Sequence, residues 1–375
     1  MLAGITMKHV AFLLTAFLIG ASYGSPAQVS GGNHFAVIAY YHGRGSEIDN
    51  YPLDKLTHVV YSFLHLRDGR LDVSTVRDSV NITHLVSLKL RYPSLKILLS
   101  LGGWGGCEPC SRVFGSREGR REFIASTKEI LRRYGADGID LDWEYPAIEG
   151  YSGHRYAPED RTNFTSLLRD LRTALGSAYE LSFATGGFRQ CLENSIEWDK
   201  VGSFVDRIHV MTYDLVNGNS LVTGHHTPLF SSPGQTASTG NAVHFLDSVG
   251  IPPGKIVIGV AFYARTWENV GDTNHGLFQT GKFRSYVRYK DFDKLLNKHD
   301  GFTYYWDTTA QAPYCYNAGQ KIFATFDDVQ SITLKTRYAI KRNLGGVMFW
   351  ELGADKYEDG LLDAIDGARK NSGGH

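Results

Sequence analysis

The stretch DGIDLDWEY at residues 137–145 places an acid at every second position of an otherwise apolar segment. Side chains of a β-strand alternate between its two faces, so Asp140, Asp142 and Glu144 share one face and the apolar residues between them share the other. This pattern predicts a strand that packs its apolar face against helices and directs three acids into a common interior. Asp137 has the opposite parity, and it joins the other acids only if the strand bends near its beginning.

Seven more apolar, β-rich segments occur along the chain, and stretches with helical periodicity separate them. Near-continuous apolar runs, such as residues 257–262, are typical of parallel strands that are buried on both faces. Eight strand–helix repeats favour an α/β fold of the (β/α)8 barrel type. A doubly wound sheet is a weaker alternative, because no Gly-x-Gly-x-x-Gly turn follows the first strand. The predicted strands are 35–41, 58–64, 96–101, 138–144, 180–184, 207–213, 255–262 and 346–352. The predicted helices include 81–91, 117–134, 158–175, 239–249, 327–342 and 359–370.

One interval is too long for a barrel connection. About sixty residues separate the seventh strand from the next helix, roughly twice the usual length. Several short strand-like segments lie in this interval. We therefore predict a small α+β insertion at residues 266–326 that forms one wall of a cleft. The barrel itself is predicted at 33–265 and 327–370.

The beginning of the chain has the pattern of a targeting segment. Lys8 precedes an apolar run at residues 10–19, and small residues follow as far as Gly24. A run of about ten residues is too short to cross a bilayer and has the length of a signal-peptide core. We predict a signal peptide at residues 1–24 and a secreted, extracellular protein, or a periplasmic one in a bacterium. No other segment has the length and apolarity of a membrane span, so we expect no membrane partner.

The charges of the chain balance, since Lys plus Arg number 39 and Asp plus Glu also number 39. Nucleic-acid-binding proteins concentrate basic charge on one surface. We therefore expect no nucleic-acid partner, and we expect a monomer.

Four cysteines are present: Cys107, Cys110, Cys191 and Cys315. An exported chain permits disulfides. A zinc site would need a second close pair of Cys or His residues, and a thioredoxin-like motif would need a small βαβ domain. We predict a local disulfide between Cys107 and Cys110, whereas the sequence leaves open whether the other two cysteines pair.

The clustered acids of the fourth strand suit proton transfer. Neighbouring like charges raise a carboxyl pKa, so one member of the cluster stays protonated near neutral pH. Glu144 is outermost and has the longest side chain, which favours it as the general acid, and Asp142 lies about 6.5 Å away along the strand. A metal site would favour a histidine beside the acids, and none is present in this stretch of sequence. We expect no metal and no cofactor, and activity that is insensitive to chelators.

Three motifs and the insertion resemble one known family. The pattern Asp-x-x-Asp-x-Asp-x-Glu at 137–144, the run SLGGW at 100–104 and the run MTYD at 211–214 are similar to motifs of glycoside hydrolase family 18, the chitinases and their relatives. The resemblance extends over essentially the whole mature chain, and the predicted insertion after the seventh strand fits that family as well.

The resemblance implies substrate-assisted, retaining catalysis, in which the N-acetyl group of the substrate is the nucleophile. By resemblance Glu144 is the acid and base, Asp142 orients the acetamido group, and Asp140 shares hydrogen bonds with Asp142. Tyr213 donates its hydroxyl to the acetamido oxygen. Asp137 is implied to be a structural buttress of the other acids.

The resemblance also implies which residues line the cleft. Asp214 is expected to bind sugar hydroxyls, and Trp350 to form the floor beneath the reacting sugar. For Phe63 and Met211 packing inside the barrel is the alternative. His225 and His226 are predicted to be a solvated loop pair. The expected substrate-binding residues are Tyr40, Phe63, Gly103, Trp104, Met211, Asp214, Tyr263, Arg265 and Trp350.

The function that these features predict is that of a secreted chitinase, which hydrolyses β-1,4-linked N-acetylglucosamine polymers and binds chitin or chito-oligosaccharides. One alternative is an endo-β-N-acetylglucosaminidase that acts on N-glycans. Another is an inactive, lectin-like relative that binds chitin, although such proteins typically lack the acid that Glu144 supplies here. Asn81 and Asn163 begin N-glycosylation sequons, which have meaning only in a eukaryotic secretory host.

Overall fold

Eight parallel strands form a closed barrel, because the first strand pairs with both the second and the last. The strands are β1 (Ala36–Tyr41), β2 (His58–Arg67), β3 (Lys96–Gly102), β4 (Gly138–Asp142), β5 (Glu180–Gly186), β6 (Arg207–Met211), β7 (Ile256–Ala261) and β8 (Gly346–Trp350). Each of them overlaps a predicted strand, and the (β/α)8 prediction is confirmed. A short strand, Arg70–Asp72, pairs with the end of β2.

The computed structural model describes Met1 and residues 35–372 apart from 44 and 74. The signal peptide predicted at residues 1–24 lies outside the described residues except for Met1. Within the described part of the chain, no helix combines the length and the apolarity that crossing a membrane requires.

Helices follow most of the barrel strands and cover the outer surface of the barrel. The first of them begins at Val76, earlier than the predicted start at 81, because the Thr75 side chain accepts a hydrogen bond from the Asp78 N–H and caps the helix there. The helices are Val76–Ser87, Cys110–Phe114, Arg117–Tyr134, Asp160–Leu175, Arg189–Asn194, Trp198–Val201, Thr239–Ser248, Phe292–Leu295, Val329–Lys341 and Leu361–Ser372.

The apolar face of β4 packs against this helical layer, as its sequence pattern predicts. Trp143, the residue that follows β4, continues this face and is buried between Phe114 and Phe164, with ring centroids 5.7 Å and 6.1 Å away. Truncating a buried tryptophan typically costs about 3–5 kcal/mol. The outer face of β4 therefore holds the strand in place, which fixes the positions of the acids on its inner face.

A second, antiparallel sheet of five strands follows β7. Its first strand begins at Tyr263, so Tyr263 and Arg265, which the predicted boundary assigns to the barrel, belong to this sheet. The exact domain boundaries stay a prediction. The strands, in spatial order, are Lys282–Arg288, Tyr263–Glu268, Ile322–Thr325, Ala312–Asn317 and Thr303–Asp307.

A buried ion pair anchors the chain where it returns from the second sheet to the barrel. Lys335 Nζ lies 2.7 Å and 2.8 Å from the two carboxylate oxygens of Asp327 and 2.6 Å from the Thr227 hydroxyl. Asp327 also accepts the Ala261 N–H at the end of β7. Removing one partner of such a pair leaves an uncompensated buried charge, which is strongly destabilising. The pair thus joins the loop after β6, the end of β7 and the Val329–Lys341 helix.

The predicted local disulfide is confirmed, since Cys107 and Cys110 are bonded. The bridge closes the turn between β3 and the Cys110–Phe114 helix. Cys191 and Cys315 are buried free thiols, so they do not pair with each other.

The first of the two sequons lies in the interior. Asn81 is 4% exposed, and its side-chain oxygen accepts the Gly45 N–H at 2.8 Å. Its amide nitrogen lies 3.5 Å from the Tyr61 hydroxyl. The Asn81 side chain is therefore part of the packing between the first helix and the barrel.

Candidate active site

The innermost acid of β4 is fully satisfied by hydrogen bonds. Asp140 is buried, and its carboxylate accepts hydroxyl hydrogen bonds from Tyr40 at 2.9 Å, Ser100 at 2.8 Å and Ser182 at 2.7 Å. The two serines are its register partners on β3 and β5, so strand pairing alone brings all three residues together. Asp140 is therefore held by donors from both neighbouring strands and from β1.

A buried histidine completes this environment. His209 Nδ1 on β6 lies 3.2 Å from an Asp140 oxygen and 2.9 Å from the Tyr40 hydroxyl. Burial acts to raise the pKa of Asp140, but the hydrogen bonds from His209, Ser182 and Ser100 outweigh it and hold the pKa below its ordinary value. Asp140 is thus the ionised member of the acid cluster.

Tyr40 was predicted to line the cleft, and the structure corrects this expectation. It is 2% exposed, and its hydroxyl donates to Asp140 rather than facing solvent. The residue lies on β1 with its side chain in the barrel interior, where the parity of the strand places it. Tyr40 therefore supports an acid below the cleft and does not line the cleft.

The middle acid has a different environment. Asp142 is 4% exposed, and its Oδ1 accepts no hydrogen bond from the described residues. Burial raises its pKa well above the ordinary value, and the negative charges of Glu144 and Asp140 raise it further. Buried polar atoms normally have a partner, so this oxygen is available to a donor on a ligand.

Glu144 follows the end of β4 and is partly buried. The predicted strand extends to 144, but β4 ends at Asp142. The hydrogen bond from the Gly103 N–H to the Asp142 carbonyl, at 2.9 Å, lies where β3 has already ended. Burial raises the pKa of Glu144 to about 7, with the charge of Asp214 adding to the effect and a hydrogen bond with Tyr145 opposing it. A carboxyl group with that pKa is protonated for part of the time at neutral pH, as a general acid requires.

Tyr213 lies just beyond the end of β6 and is mostly buried. Its hydroxyl lies 3.8 Å from the thioether sulfur of Met348, which is a weak acceptor. Burial raises its pKa, and the charges of Asp142 and Asp214 add to that shift. The hydroxyl therefore stays protonated and is able to donate to a stronger acceptor.

Asp214 is bound by groups from the second sheet. Arg265 donates from Nε and Nη2 to the two carboxylate oxygens, and the Tyr263 hydroxyl donates at 2.7 Å. Burial acts to raise the pKa of Asp214, but the hydrogen bonds from Arg265 and the proximity of His226 outweigh it and keep the pKa below its ordinary value. The predicted residues Tyr263 and Arg265 thus contact Asp214 directly, and they connect the second sheet to the end of β6.

The prediction that His225 and His226 are solvated is wrong. His225 is 1% exposed and lies 3.1 Å from an Asp307 oxygen, and His226 is fully buried, 3.5 Å from an Asp214 oxygen. The second sheet covers this loop: the His226 N–H donates to the Thr325 hydroxyl at 3.1 Å. Burial lowers the pKa of His226. Sequence periodicity carries no information about a loop that a separate sheet covers.

Phe63 of β2 and Trp350 at the end of β8 form an aromatic pair. The rings of Phe63 and Trp350 stack with centroids 5.4 Å apart and planes 13° from parallel, and both are partly exposed. Gly103 permits this arrangement, because its φ is 77° and a Cβ there would lie 2.4 Å from the Phe63 ring. Met211 is 8% exposed and packs in the inner barrel core, which fits the packing alternative.

Asp137 does not contact the other acids. Its carboxylate lies 2.7 Å from Lys89 Nζ and accepts the Ile97 N–H at 2.8 Å. Asp137 directly precedes β4, so both contacts lie at the N-terminal end of that strand. Asp137 therefore supports the pairing of β3 and β4, and the implied role as a buttress of the other acids does not match these contacts.

The remaining predicted residue, Trp104, follows β3 and is 56% exposed. Its ring contacts Tyr151, which the sequence interpretation does not single out, with centroids 5.6 Å apart. The candidate site thus comprises acids on β4 and just after it, a hydroxyl and a carboxylate just after β6, and aromatic rings on β2, just after β3 and at the end of β8. No group of three or more His, Cys, Asp or Glu side chains within the described ranges has the arrangement of a metal site.

A closed (β/α)8 barrel with acids at the C-terminal end of a strand has the arrangement of a barrel-type enzyme, and the family match identifies its class as glycoside hydrolase. The family model for glycosyl hydrolases family 18 matches residues 36–355, and the chain belongs to that family. The chain is 35% identical over 305 residues to Chitinase A1 of Niallia circulans, over 74% of this chain and 43% of that relative. It therefore spans less than half the length of this relative.

Solved structures are similar to the chain over nearly all of its described residues. A family 18 N-acetylglucosaminidase from Paenibacillus barengoltzii is 34% identical with a TM-score of 0.80, and the match covers 89% of this chain and 99% of that one. The Group IV chitinase of Ostrinia furnacalis in complex with allosamidin is 28% identical with a TM-score of 0.83, covering 90% and 99% respectively.

Proposed function

We propose that this chain is a secreted chitinase that hydrolyses β-1,4-linked N-acetylglucosamine polymers with retention of configuration. The observation that carries the proposal is the proximity along the chain of Glu144, whose pKa burial raises to about 7, and Asp142, whose buried Oδ1 accepts no hydrogen bond from the described residues. One group suits proton donation to a glycosidic oxygen. The other suits acceptance of an N–H from the substrate.

The reaction that fits this pair begins when Glu144 protonates the glycosidic oxygen and the bond from that oxygen to C1 breaks. The carbonyl oxygen of the acetamido group attacks C1 and forms an oxazolinium ion, while the acetamido N–H donates to Asp142. Glu144, now ionised, removes a proton from a water molecule. The water oxygen adds to C1, and the bond from C1 to the acetamido oxygen breaks, which opens the oxazolinium ring. The sugar leaves with its original configuration, and Glu144 is protonated again.

Three neighbouring groups support these steps. The Tyr213 hydroxyl, whose present contact is a weak sulfur acceptor, suits donation to the acetamido oxygen. The negative charge of Asp140 raises the pKa of Asp142 and so stabilises a proton that Asp142 holds or shares in a hydrogen bond with the substrate nitrogen. The stacked Phe63–Trp350 pair presents a flat apolar face, against which the C–H groups of a sugar ring pack.

The relatives support the substrate class. Chitinase A1 and the Ostrinia furnacalis enzyme are both named as chitinases, and the latter is described in complex with allosamidin. The signal peptide that the sequence predicts supports secretion. A second candidate is release of single N-acetylglucosamine units, because the structure from Paenibacillus barengoltzii is named an N-acetylglucosaminidase and matches this chain over 89% of its length.

Product analysis on N-acetylchitohexaose separates these functions. A chitinase releases oligomers, chiefly the β-anomer at early times, whereas an N-acetylglucosaminidase releases the monosaccharide from the start. A glycoprotein bearing N-glycans is assayed in parallel and is expected to stay intact. Early products of the α-anomer, or release of glycans without cleavage of the hexamer, would contradict the proposal.

A further inference from the structure

A depression with a volume of about 680 Å³ lies at the outer edge of the second sheet. Its walls come from the segment Thr273–Gly276, the edge strand Thr303–Asp307 and the turn that follows the strand Ala312–Asn317. The described residues that line it include none of the candidate active site. Pockets that hold small ligands measure about 300–1,000 Å³, so the depression has the size of a binding site.

The width of the sheet separates this depression from the catalytic cleft. Arg265, which contacts Asp214, lies on the strand Tyr263–Glu268. Thr303 and Tyr305 lie on the edge strand, three strands further across the sheet. Neighbouring strands are about 4.8 Å apart, so about 14 Å of sheet lie between Arg265 and the depression. A ligand in the depression therefore binds apart from the sugar at Glu144.

Stacked rings form one wall of the depression. The His275 ring lies 4.2 Å from the Tyr305 ring with planes 10° from parallel, and Tyr305 stacks in turn on Tyr314 at 5.2 Å. His275 is exposed and has a φ of 53°, and Asn274 before it has a φ of 50°. Such left-handed backbone is uncommon for residues other than glycine, and it is concentrated at functional sites, including ligand clamps. An exposed ring is thus held in a fixed position at the edge of the sheet.

A buried amide fixes the polar part of the lining. Asn317 is 2% exposed, its Nδ2 donates to the Asp300 carbonyl at 2.7 Å, and its Oδ1 accepts the Gln320 N–H at 2.9 Å. The Asn317 side chain therefore joins the turn that contains Asp300 to the turn that contains Gln320. Both of these residues line the depression and are exposed. The polar lining is consequently held in place before any ligand arrives.

The lining residues indicate the chemical class of the ligand. Asp272, Asp300, Thr303 and Gln320 carry carboxylate, hydroxyl and amide groups, which bond to hydroxyl and amide groups of a ligand. None of the described lining residues is a lysine or an arginine, so no permanent positive charge attracts a phosphate or a sulfate. A flat ring beside such groups suits a neutral sugar, because the C–H face of a pyranose packs on a ring while its hydroxyls bond to the polar groups.

We infer that this depression is a second carbohydrate-binding site, which holds an N-acetylglucosamine unit of chitin away from the cleft. The assignment rests on the proposed function, because that function supplies the polymer. A chain bound at two places dissociates more slowly than a chain bound at one, since release of one contact leaves the other to hold the polymer nearby. The second site therefore acts on the insoluble polymer and leaves short soluble substrates unaffected.

The test measures adsorption of the full chain to colloidal chitin in the Glu144→Gln background, where the polymer is not consumed. His275→Gly removes the ring, and glycine adopts the left-handed backbone without a steric penalty. This substitution is expected to weaken adsorption about tenfold, as the loss of one well-packed contact does. With Glu144 restored, kcat/KM on p-nitrophenyl N,N′-diacetylchitobioside should stay within about twofold of the wild type, because that short substrate needs only the cleft.

Asn274→Gly is the matched control. Asn274 is exposed, has nearly the same φ as its neighbour His275, and is not among the described residues that line the depression. Its adsorption is expected to equal that of the background. Asp272→Ala is a second variant, at an exposed lining residue, and it is expected to weaken adsorption about threefold through the loss of one hydrogen bond.

The results separate the second site from the proposed function. If the wild type cleaves the short substrate but His275→Gly and Asp272→Ala both adsorb as tightly as the background, the second site is disproved and the chitinase proposal stands. If the wild type cleaves neither chitin nor the short substrate and does not adsorb to chitin, both proposals fall together.

Two further outcomes would also overturn the second site. Equal losses of adsorption for His275→Gly and Asn274→Gly would attribute the effect to the loop as a whole. A fall in kcat/KM on the short substrate as large as the fall in adsorption would place the effect of His275 in the cleft.

Discussion

Asp140 and Asp142 lie two residues apart on the same face of β4, yet only Asp140 has its carboxylate saturated with hydrogen bonds. Asp140 receives donors from Tyr40, Ser100 and Ser182, while Asp142 Oδ1 receives none from the described residues. Their pKa values shift in opposite directions as a result. The negative charge of the cluster therefore resides on Asp140, and a proton is held nearer to the cleft.

Replacing Glu144 with Gln removes the only proton that the proposed mechanism delivers to the leaving oxygen. General acid–base catalysis contributes about 10²–10⁴-fold, so kcat on N-acetylchitohexaose should fall by at least about a hundredfold. The side chains are nearly isosteric, so the Kd for the hexamer should change by less than about threefold. Steady-state kinetics and calorimetry measure the two quantities, and near-full turnover would show that another residue is the acid.

The raised pKa of Glu144 gives the activity an alkaline limb. The acid must be protonated, so kcat/KM should fall as pH rises through about 7. A pH–rate profile on a chromogenic substrate measures this limb. A profile that stays flat from pH 6 to about 9 would contradict the assignment.

The same group makes stability depend on pH. The folded chain binds the Glu144 proton more tightly than an ordinary glutamate with a pKa of 4.5 does. This stabilisation is fully present below pH 4.5 and is lost as pH rises through about 7. Glutamine stays neutral, so the Tm of Glu144→Gln relative to the wild type should rise between those values and then level off. Thermal unfolding at three pH values, for example 4, 6 and about 8, measures the difference.

Removing the Tyr40 hydroxyl takes one donor from a buried, ionised carboxylate. A hydrogen bond to a charged group contributes about 1.5–3 kcal/mol, so Tyr40→Phe should lower the free energy of unfolding by that amount. It should also lower kcat, because Asp140 then retains a proton more readily. Tyr357→Phe, at an exposed ring, is the control and should change stability by less than about 0.5 kcal/mol. Denaturant unfolding decides whether the hydroxyl has this effect.

The contact between Arg265 and Asp214 offers a test of the second sheet. Arg265→Met removes the two guanidinium donors and leaves the partly buried Asp214 charge with the Tyr263 hydroxyl but no cation from Arg265, which should cost about 1–3 kcal/mol of stability after allowance for solvent. Pairing it with Asp214→Asn should recover part of that loss, because the uncompensated charge is gone. If the double variant is less stable than both single variants, the ion pair is not the source of the effect.

The sequence predicts the barrel and the acids well because both depend on local periodicity. The parity of β4 alone separates Asp140, Asp142 and Glu144 from Trp143, and the structure keeps that division. Ser182 and His209 are within reach of the same reasoning, since each lies at an inward position of its own strand, but an isolated polar residue gives a weak signal.

Other parts of the site depend on contacts between distant segments. His226 is buried by a strand that lies about a hundred residues further along the chain, as its bond to Thr325 shows. Tyr151 belongs to no sequence motif, and only the folded structure shows its contact with Trp104. The contact of Asp137 with Lys89 likewise joins distant segments, since Lys89 lies in the short 3-10 helix Leu88–Leu90 that follows the first helix.

The buried sequon at Asn81 bears on the choice of production host. An oligosaccharide attached to its amide nitrogen has no room in the folded protein, where that side chain is 4% exposed and bonded to Gly45. In a eukaryotic secretory pathway, sugar transfer and folding therefore compete for the same asparagine. A bacterial host avoids this competition, and a eukaryotic one calls for mass spectrometry to confirm that the secreted material is unmodified at this position.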